Sequence, residues 1–437
     1  MRKGAPFMKN SFILLTIVSA LSSQILPQIL FLAVMGFGEG ASRVIPFMIF
    51  YVASMSGLLV WIYVIGRMGS KRAFLMALFV LAIGLVCWFV PFAWGIEMSA
   101  FLVGVGSIGV GTMMTTILSQ LKEFSPKNQG GSALPLVVLL VSWIALFLYT
   151  FSRSYDLAVL LFLISLVLPW LFVRKLPLTR EATWTFSTTL FLRAFLVVTV
   201  FTLLSRLVSL LEGTRGYLEI FFLTLLLVSY MVWLLLQRKT RNYVTTKSTR
   251  QVQFLAYAVG LFGGWTLIGA VFTSLALYSF NVLLFYVFVP FLFGVIGWIL
   301  FGQVVPGVKR PYSFLLVSSA AFFLGFWHPI AFLPVLFVNG YIQTMYSSIG
   351  HMQLYTAYRE NKEFAALVMQ LWKKFGMVVA QVSLMLGILA YGLTVDQTVN
   401  TDLSFALPKS WMVGVLAVTW TVNVAVITVY WRQIVRH

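Results

Sequence analysis

Fourteen apolar stretches run through this chain with only short polar gaps between them, and a bilayer core needs roughly 20 apolar residues per spanning helix. They fall near residues 12–35, 44–65, 73–92, 96–119, 132–152, 156–173, 190–211, 217–236, 252–277, 280–302, 312–328, 330–347, 372–394 and 411–431. A lone strand in lipid would leave its backbone N–H and C=O groups unpaired, so each stretch is expected to be a helix. The gaps carry a second pattern. Arg43, Arg153, Arg215 and Lys409 occupy odd-numbered gaps, and Arg193 and Arg206 lie inside the seventh stretch. All other Lys and Arg stand at the termini or in and beside the even-numbered gaps. The acidic residues Glu39, Glu97, Asp156, Glu212, Glu219, Asp396 and Asp402 favour the opposite side, while Glu123, Glu181, Glu360 and Glu363 sit with the basic set. Lys and Arg in short loops are retained in the cytoplasm. The pattern therefore predicts a multi-pass protein of the inner (plasma) membrane with both termini cytoplasmic.

Composition excludes most alternatives. The chain is 61% hydrophobic and 9% charged, against about a quarter charged in a soluble domain. Its net charge of +19 is scattered over short loops and termini without a basic stripe, which argues against nucleic acid. Insertion topology explains the charge, with contact to membrane lipids as an additional expectation. Cys87 is the only cysteine, so no disulfide framework or cysteine metal cluster can form within one chain. There is no H-E-x-x-H, no Walker loop and no clustered His, Cys or Asp, so neither enzymatic chemistry nor a cofactor or metal is expected. The first stretch is too long for a cleavable signal and reads as a retained helix.

Long basic segments divide the chain. RKLPLTREATWTFSTT follows the sixth stretch and QRKTRNYVTTKSTRQ the eighth. The expected domains are an N-terminal six-helix bundle (1–176), an inserted helical hairpin with its linkers (177–251) and a C-terminal six-helix bundle (252–437). The bundles match each other: the gap after the second helix is a short basic turn in both, Gly66 to Arg72 and Gly307 to Pro311, and a longer polar segment follows the fourth helix in both. Such internal repeats are characteristic of transporters. The split of one long run at Trp327, His328 and Pro329 rests on charge parity. Residues 347–371 read either as an amphipathic interfacial helix or as a helix extension into the cytosol.

The loop GRMGSKR resembles the major facilitator superfamily signature G-x-x-x-D-R-x-G-R-K, with Arg67, Gly69, Lys71 and Arg72 in the Arg, Gly and basic positions. Ile62 and Gly66 stand where the family has its leading Gly and its Asp. The resemblance makes Arg67, Gly69, Lys71 and Arg72, and by internal symmetry Lys309 and Arg310, candidate gating residues, with the gate closing by means other than the Asp. GSIGVG (Gly106 to Gly111) resembles the Q-G-x-G-x-G of the drug:proton antiporter branch, although the upstream Arg and the Gly-Pro-rich motif of the fifth helix are absent. Fourteen helices with an extra pair between two bundles is also the layout of bacterial peptide transporters, whose first-helix E-x-x-E-R is missing here. The fold implied is an all-α polytopic membrane protein of the major facilitator type.

In that superfamily the first and fourth helices of each bundle line the solute path, which maps to the first, fourth, ninth and twelfth stretches. These carry Ser19, Ser22, Ser23, Gln24 and Gln28; Ser107, Thr112, Thr115 and Thr116; Tyr257, Trp265, Thr266 and Thr273; and Asn339, Tyr341, Gln343, Thr344 and Tyr346. Gln24 and Gln28 share a helix face by their spacing, as do Asn339 and Gln343. A buried amide in hydrocarbon costs several kcal/mol unless satisfied, so these faces line water, ligand or a polar helix interface. The candidate substrate-binding residues are Ser23, Gln24, Gln28, Thr112, Thr115, Thr116, Trp265, Thr266, Asn339, Tyr341 and Gln343. The competing reading is interhelical glue. Gly260 and Gly264 read as a close-packing pair, and Pro27 and Pro334 as sites of kinks. Proton-coupled transporters hold an acidic or imidazole relay in the membrane, yet no carboxylate falls at mid-depth here and His328 sits at an outer turn.

The expected function is secondary transport of an amphipathic or lipophilic organic solute by rocking-bundle alternating access, in the export direction. Two alternatives stand beside it: a lipid or lipid-linked glycan flippase, and a transport-inactive scaffold or accessory subunit. The partners expected are a small-molecule or lipid substrate, membrane lipids, and a periplasmic adaptor or accessory protein.

Overall fold

Every element among the described residues is helical, as a chain that must satisfy its backbone inside lipid requires. The computed structural model describes residues 44–91, 94–120, 133–175, 247–278, 282–301, 311–357 and 409–436, with parts of 18–34 and 368–384. The chain divides into two compact units, Met1–Leu203 and Leu204–His437. The seventh and eighth predicted stretches, and with them the expected inserted hairpin, lie outside the described residues.

The N-terminal unit contains α1 (Val44–Met68), α2 (Ser70–Cys87), α3 (Gly95–Gln120), α4 (Ala133–Arg153), α5 (Tyr155–Ser165) and α6 (Val167–Lys175). Its centre is α3, gripped by α1 on one side and α2 on the other. Glycines make that approach possible. A Cβ on Gly104 would lie 2.9 Å from the Ala53 Cβ of α1, and one on Gly106 would lie 2.6 Å from the backbone nitrogen of Leu81 in α2. Trp61 of α1 is buried and donates its indole N–H to the Val105 carbonyl of α3 at 2.7 Å. The indole occupies space that a side chain on Gly109 would fill. The Gly-rich run of α3, matched in sequence to an antiporter motif, is thus a packing surface that lets three helices touch backbone to backbone.

The expected stretch 156–173 is broken. Leu166 separates α5 from α6, because Pro169 has no N–H to continue the ladder and stands in the first turn of the new helix, where none is required. The Ser154 hydroxyl caps α5 by accepting from the Leu157 N–H, and Asp156 in the first turn meets the positive end of the helix. Of the first predicted stretch, residues 25–31 are helical. Phe31 stacks on Phe50 at 5.2 Å, and the Ser19 hydroxyl donates to the Ser165 carbonyl at 3.2 Å.

The C-terminal unit contains α7 (Lys247–Leu277), α8 (Val289–Phe301), α9 (Pro311–Ala321), α10 (Phe332–Ala357) and α11 (Lys409–Arg436). A π-helical segment, Leu283–Phe288, leads into α8. Pro290 follows it, and a proline that cannot donate to the preceding turn favours such a register change. Between α9 and α10 the run turns through two short 3₁₀ segments, Phe322–Phe326 and Pro329–Ala331. His328 caps the second, its Nδ1 accepting from the Ile330 N–H at 3.2 Å. The expected split at Trp327, His328 and Pro329 is present, and its histidine has a structural role. Pro334 does not kink α10; it lies in the first turn, where a missing N–H costs nothing. Because α10 continues to Ala357, the part of 347–371 that is described through that residue is a helix extension.

Glycines again set the spacing. A Cβ on Gly294 of α8 would strike the Phe337 carbonyl of α10, and one on Gly340 of α10 would strike the Phe291 carbonyl of α8. Gly260 and Gly264 form the expected close-packing pair, facing Lys373 and Met377 of the helical segment at 368–377. Beside them Trp372 packs on the buried cluster of Val252, Ala256, Val368 and Met369.

Candidate functional site

The described residues of the C-terminal unit include no carboxylate, and their Lys and Arg stand at the ends of α7 and α11 and at Lys373 and Lys374 within the segment 368–377. Uncharged polar side chains bond α7 to α10 on one side and to α11 on another. Asn339 and Gln343 lie one turn apart on α10, both buried. The Gln343 amide donates to the Asn339 side-chain oxygen at 3.3 Å, and the Asn339 amide donates to the Gly263 carbonyl of α7 at 3.5 Å. Only glycine at 263 leaves room, because a Cβ there would lie 2.5 Å from the Gln343 amide carbon. Beside Gly263, Thr266 satisfies its hydroxyl on the Phe262 carbonyl of its own helix at 2.7 Å. Trp265 is fully buried, packs edge-on against Phe322 at 5.2 Å, and donates its indole N–H to the Thr419 hydroxyl of α11 at 3.2 Å.

α11 lies outside the four helices expected to carry the site. Its TWTVN run places three interhelical donors or acceptors within two turns: Thr419 receives from Trp265, Trp420 donates to Ser319 of α9 at 2.9 Å, and Asn423 donates to Ser383 at 3.0 Å. Thr419 and Asn423 have the same four-residue spacing that singled out Asn339 and Gln343. The signal was present, but the family resemblance directed attention to four other helices.

Of the predicted substrate residues, the structure brings Asn339 and Gln343 together against Gly263 of α7, with Thr266 one turn further along α7, while Trp265, two positions from Gly263, faces Phe322 and Thr419 instead. Tyr341 is turned away: two positions from Asn339 and Gln343, it points to α8 and meets Trp298 edge-on at 5.5 Å. In the N-terminal unit Ser23 and Thr112 are buried and Gln28 is half-buried. Thr115 and Thr116 lie on α3 with side chains outside the described residues, and Gln24 lies outside them altogether. Three buried hydroxyls of the C-terminal unit, on Ser274, Tyr341 and Tyr346, have no hydrogen-bond partner among the described residues. A surface of amides, hydroxyls and indoles without charge can hold an uncharged polar group by hydrogen bonding and an apolar body by ring contact.

The candidate gate is a tight turn. Gly69, between α1 and α2, has φ 77° and ψ 163°, a region open essentially to glycine alone. Arg67 lies over the Tyr63 ring at 4.6 Å, and Arg72 is exposed. Lys309 and Arg310 lie outside the described residues.

With this geometry in view, the relatives in structure are informative. The chain aligns over 98% of its length, and 97% of the other chain, with an auto-inhibited POT family peptide transporter at 15% identity and a TM-score of 0.60. A POT family transporter in complex with 5-aminolevulinic acid aligns with 97% of this chain and 96% of its own at 13% identity and a TM-score of 0.58. The human organic anion transporter MFSD10 aligns with 95% of this chain and 98% of its own at 13% identity and a TM-score of 0.54. No protein-family model matches the sequence, and no curated protein is significantly similar to it. The chain therefore has the all-α fold of the major facilitator transporters, as its loop motif and layout predicted.

Proposed function

We propose that this protein is a secondary active transporter that moves an amphipathic or lipophilic organic solute across the inner (plasma) membrane by rocking-bundle alternating access. The direction proposed is export, after the antiporter branch that its layout resembles. The observation that carries the reading is the buried, uncharged amide pair Asn339 and Gln343 bonded to Gly263 of α7, one turn from Thr266. It joins α7 and α10, the two helices of this unit that the resemblance assigns to the solute path. α7 thus carries an amide partner at Gly263 and, at Trp265, one ring of an aromatic pair with Phe322, a combination that suits a solute with one polar and one apolar part. Structural neighbours named for peptides, 5-aminolevulinic acid and organic anions support an organic solute. Ser23, Gln24, Gln28, Thr112, Thr115 and Thr116 are proposed as substrate-binding residues of the N-terminal unit. The basic turn at Arg67 to Arg72 and its counterpart at Lys309 and Arg310 are proposed as the gate.

The test is flux of a panel of amphipathic solutes in proteoliposomes, with and without an imposed pH gradient. Asn339→Leu and Gln343→Leu should each lower solute-dependent flux about tenfold, the equivalent of one lost buried hydrogen bond of about 1.4 kcal/mol. Flux that is undetectable for every solute, or unchanged in both variants, would overturn the proposal. Movement of labelled phospholipid without solute flux would select the flippase reading instead.

A further inference from the structure

Three times in the N-terminal unit an arginine near a helix C-terminus lies over an aromatic ring one turn earlier: Arg67 over Tyr63 at 4.6 Å, Arg153 over Tyr149 at 5.7 Å and Arg174 over Trp170 at 5.1 Å. Two of the three stand toward one end of the unit. The Trp88 indole, just past the end of α2, donates to Asp156 at the start of α5 at 2.9 Å, which brings those two ends together. α2 also contacts α6, and the two paths from the junction of Trp88 and Asp156 are of similar length, which places Arg174 and Lys175 at the end of α6 toward the same end of the unit as Lys71 and Arg72 at the start of α2. Arg67 joins them across the turn at Gly69. The carboxylates described in this unit, Glu97 and Asp156, begin α3 and α5 at the opposite end.

We infer that this end of the N-terminal unit, built from Arg67, Lys71, Arg72, Arg174 and Lys175, is a binding site for the headgroup of an anionic phospholipid. Charge complementarity calls for a phosphate with net negative charge. The surrounding surface selects a lipid over a soluble anion, because the cations are bordered by exposed apolar side chains, Met68, Val167, Trp170 and Leu171 among them. A single molecule that meets both surfaces has acyl chains below its phosphate. Stacking on Trp170 and Tyr63 holds the guanidinium planes in place before a ligand arrives, which lowers the ordering cost of binding. Loop charge that served only to orient the helices during insertion would not need the stacking.

The full chain, in nanodiscs of phosphatidylcholine doped with phosphatidylglycerol, can be released into the gas phase and its retained lipids weighed by native mass spectrometry. Phosphatidylglycerol should be retained over phosphatidylcholine, and the double variant Arg174→Gln, Lys175→Gln should weaken that preference about fivefold for each cation removed, the factor expected of one basic side chain at an anionic surface. Arg153→Gln is the control: the same stacked arginine, but at the end that holds Asp156, and its loss should change nothing. Arg72→Gln, exposed at the start of α2, serves as the second variant if the double variant is not monodisperse. Equal retention of the two lipids, an equal loss in Arg153→Gln, or displacement of phosphatidylglycerol by millimolar inorganic phosphate would each refute the site.

Discussion

Helix propensity alone says that Gly109→Ala should stabilise α3 by up to about 1 kcal/mol, since glycine is the costlier residue inside a helix. The packing around Gly109 predicts the opposite sign. The new methyl carbon would lie 2.5 Å from Trp61 Cε2 and 2.8 Å from the Ala77 Cβ, so it must displace either the indole or α2. Overpacking of this kind costs about 1–3 kcal/mol. Displacing the indole also breaks its 2.7 Å bond to the Val105 carbonyl and leaves a buried donor unpaired, at a further cost of about 1–3 kcal/mol. The net expectation is a loss of about 1–5 kcal/mol after the propensity gain is subtracted. Equilibrium unfolding in mixed micelles, monitored by reactivity of the single cysteine, Cys87 at the end of α2, reads the unit concerned. Trp61→Phe supplies the second arm: with the larger ring and its N–H gone, Gly109→Ala should cost far less, giving a coupling energy of about 1–3 kcal/mol. Gly109→Ala protein at least as stable as the parent, or additive effects in the double variant, would refute the account of α3 as a helix that glycine allows its neighbours to grip.

Gly69→Ala should destabilise by about 1–3 kcal/mol in the same assay, because its backbone conformation suits glycine almost alone; an effect below about 0.5 kcal/mol would mean that the turn relaxes freely. Tyr346→Phe removes a buried hydroxyl that has no partner among the described residues and should leave stability unchanged or raise it by about 1 kcal/mol, whereas a clear loss would reveal a bonding partner for that oxygen. Trp265→Phe breaks the link from α7 to Thr419 of α11 and should cost about 1–2 kcal/mol. If Thr419→Val costs the same amount and the double variant no more than either alone, the two side chains share that bond.

Several elements were legible in the sequence, some in outline only. The ends of α1, α3 and α4 fall within a turn of expectation, since each is marked by where apolar residues give way to Gly, Arg or Glu. The break between α5 and α6 was hidden because Leu166 and Pro169 are as apolar as their neighbours, and hydropathy does not register a missing N–H. Gly260 and Gly264 were recognised as a packing pair, but their partners, Lys373 and Met377, are more than a hundred residues away and no local pattern names them. For the candidate site, the spacing of Asn339 and Gln343 placed them on one face. That their partner would be the Gly263 carbonyl required the tertiary contact.

Hydrophobicity, the length of each run and the side-bias of Lys and Arg are summed over a segment, so the chain alone determined that it threads a membrane as helices and which gaps are equivalent. Interhelical hydrogen bonds and Cβ clearances depend on single atoms brought together from distant segments. Only the tertiary structure could therefore decide that the Gly-rich run of α3 is a packing surface, that Tyr341 turns from Asn339, and that α11 bonds to α7 and α9.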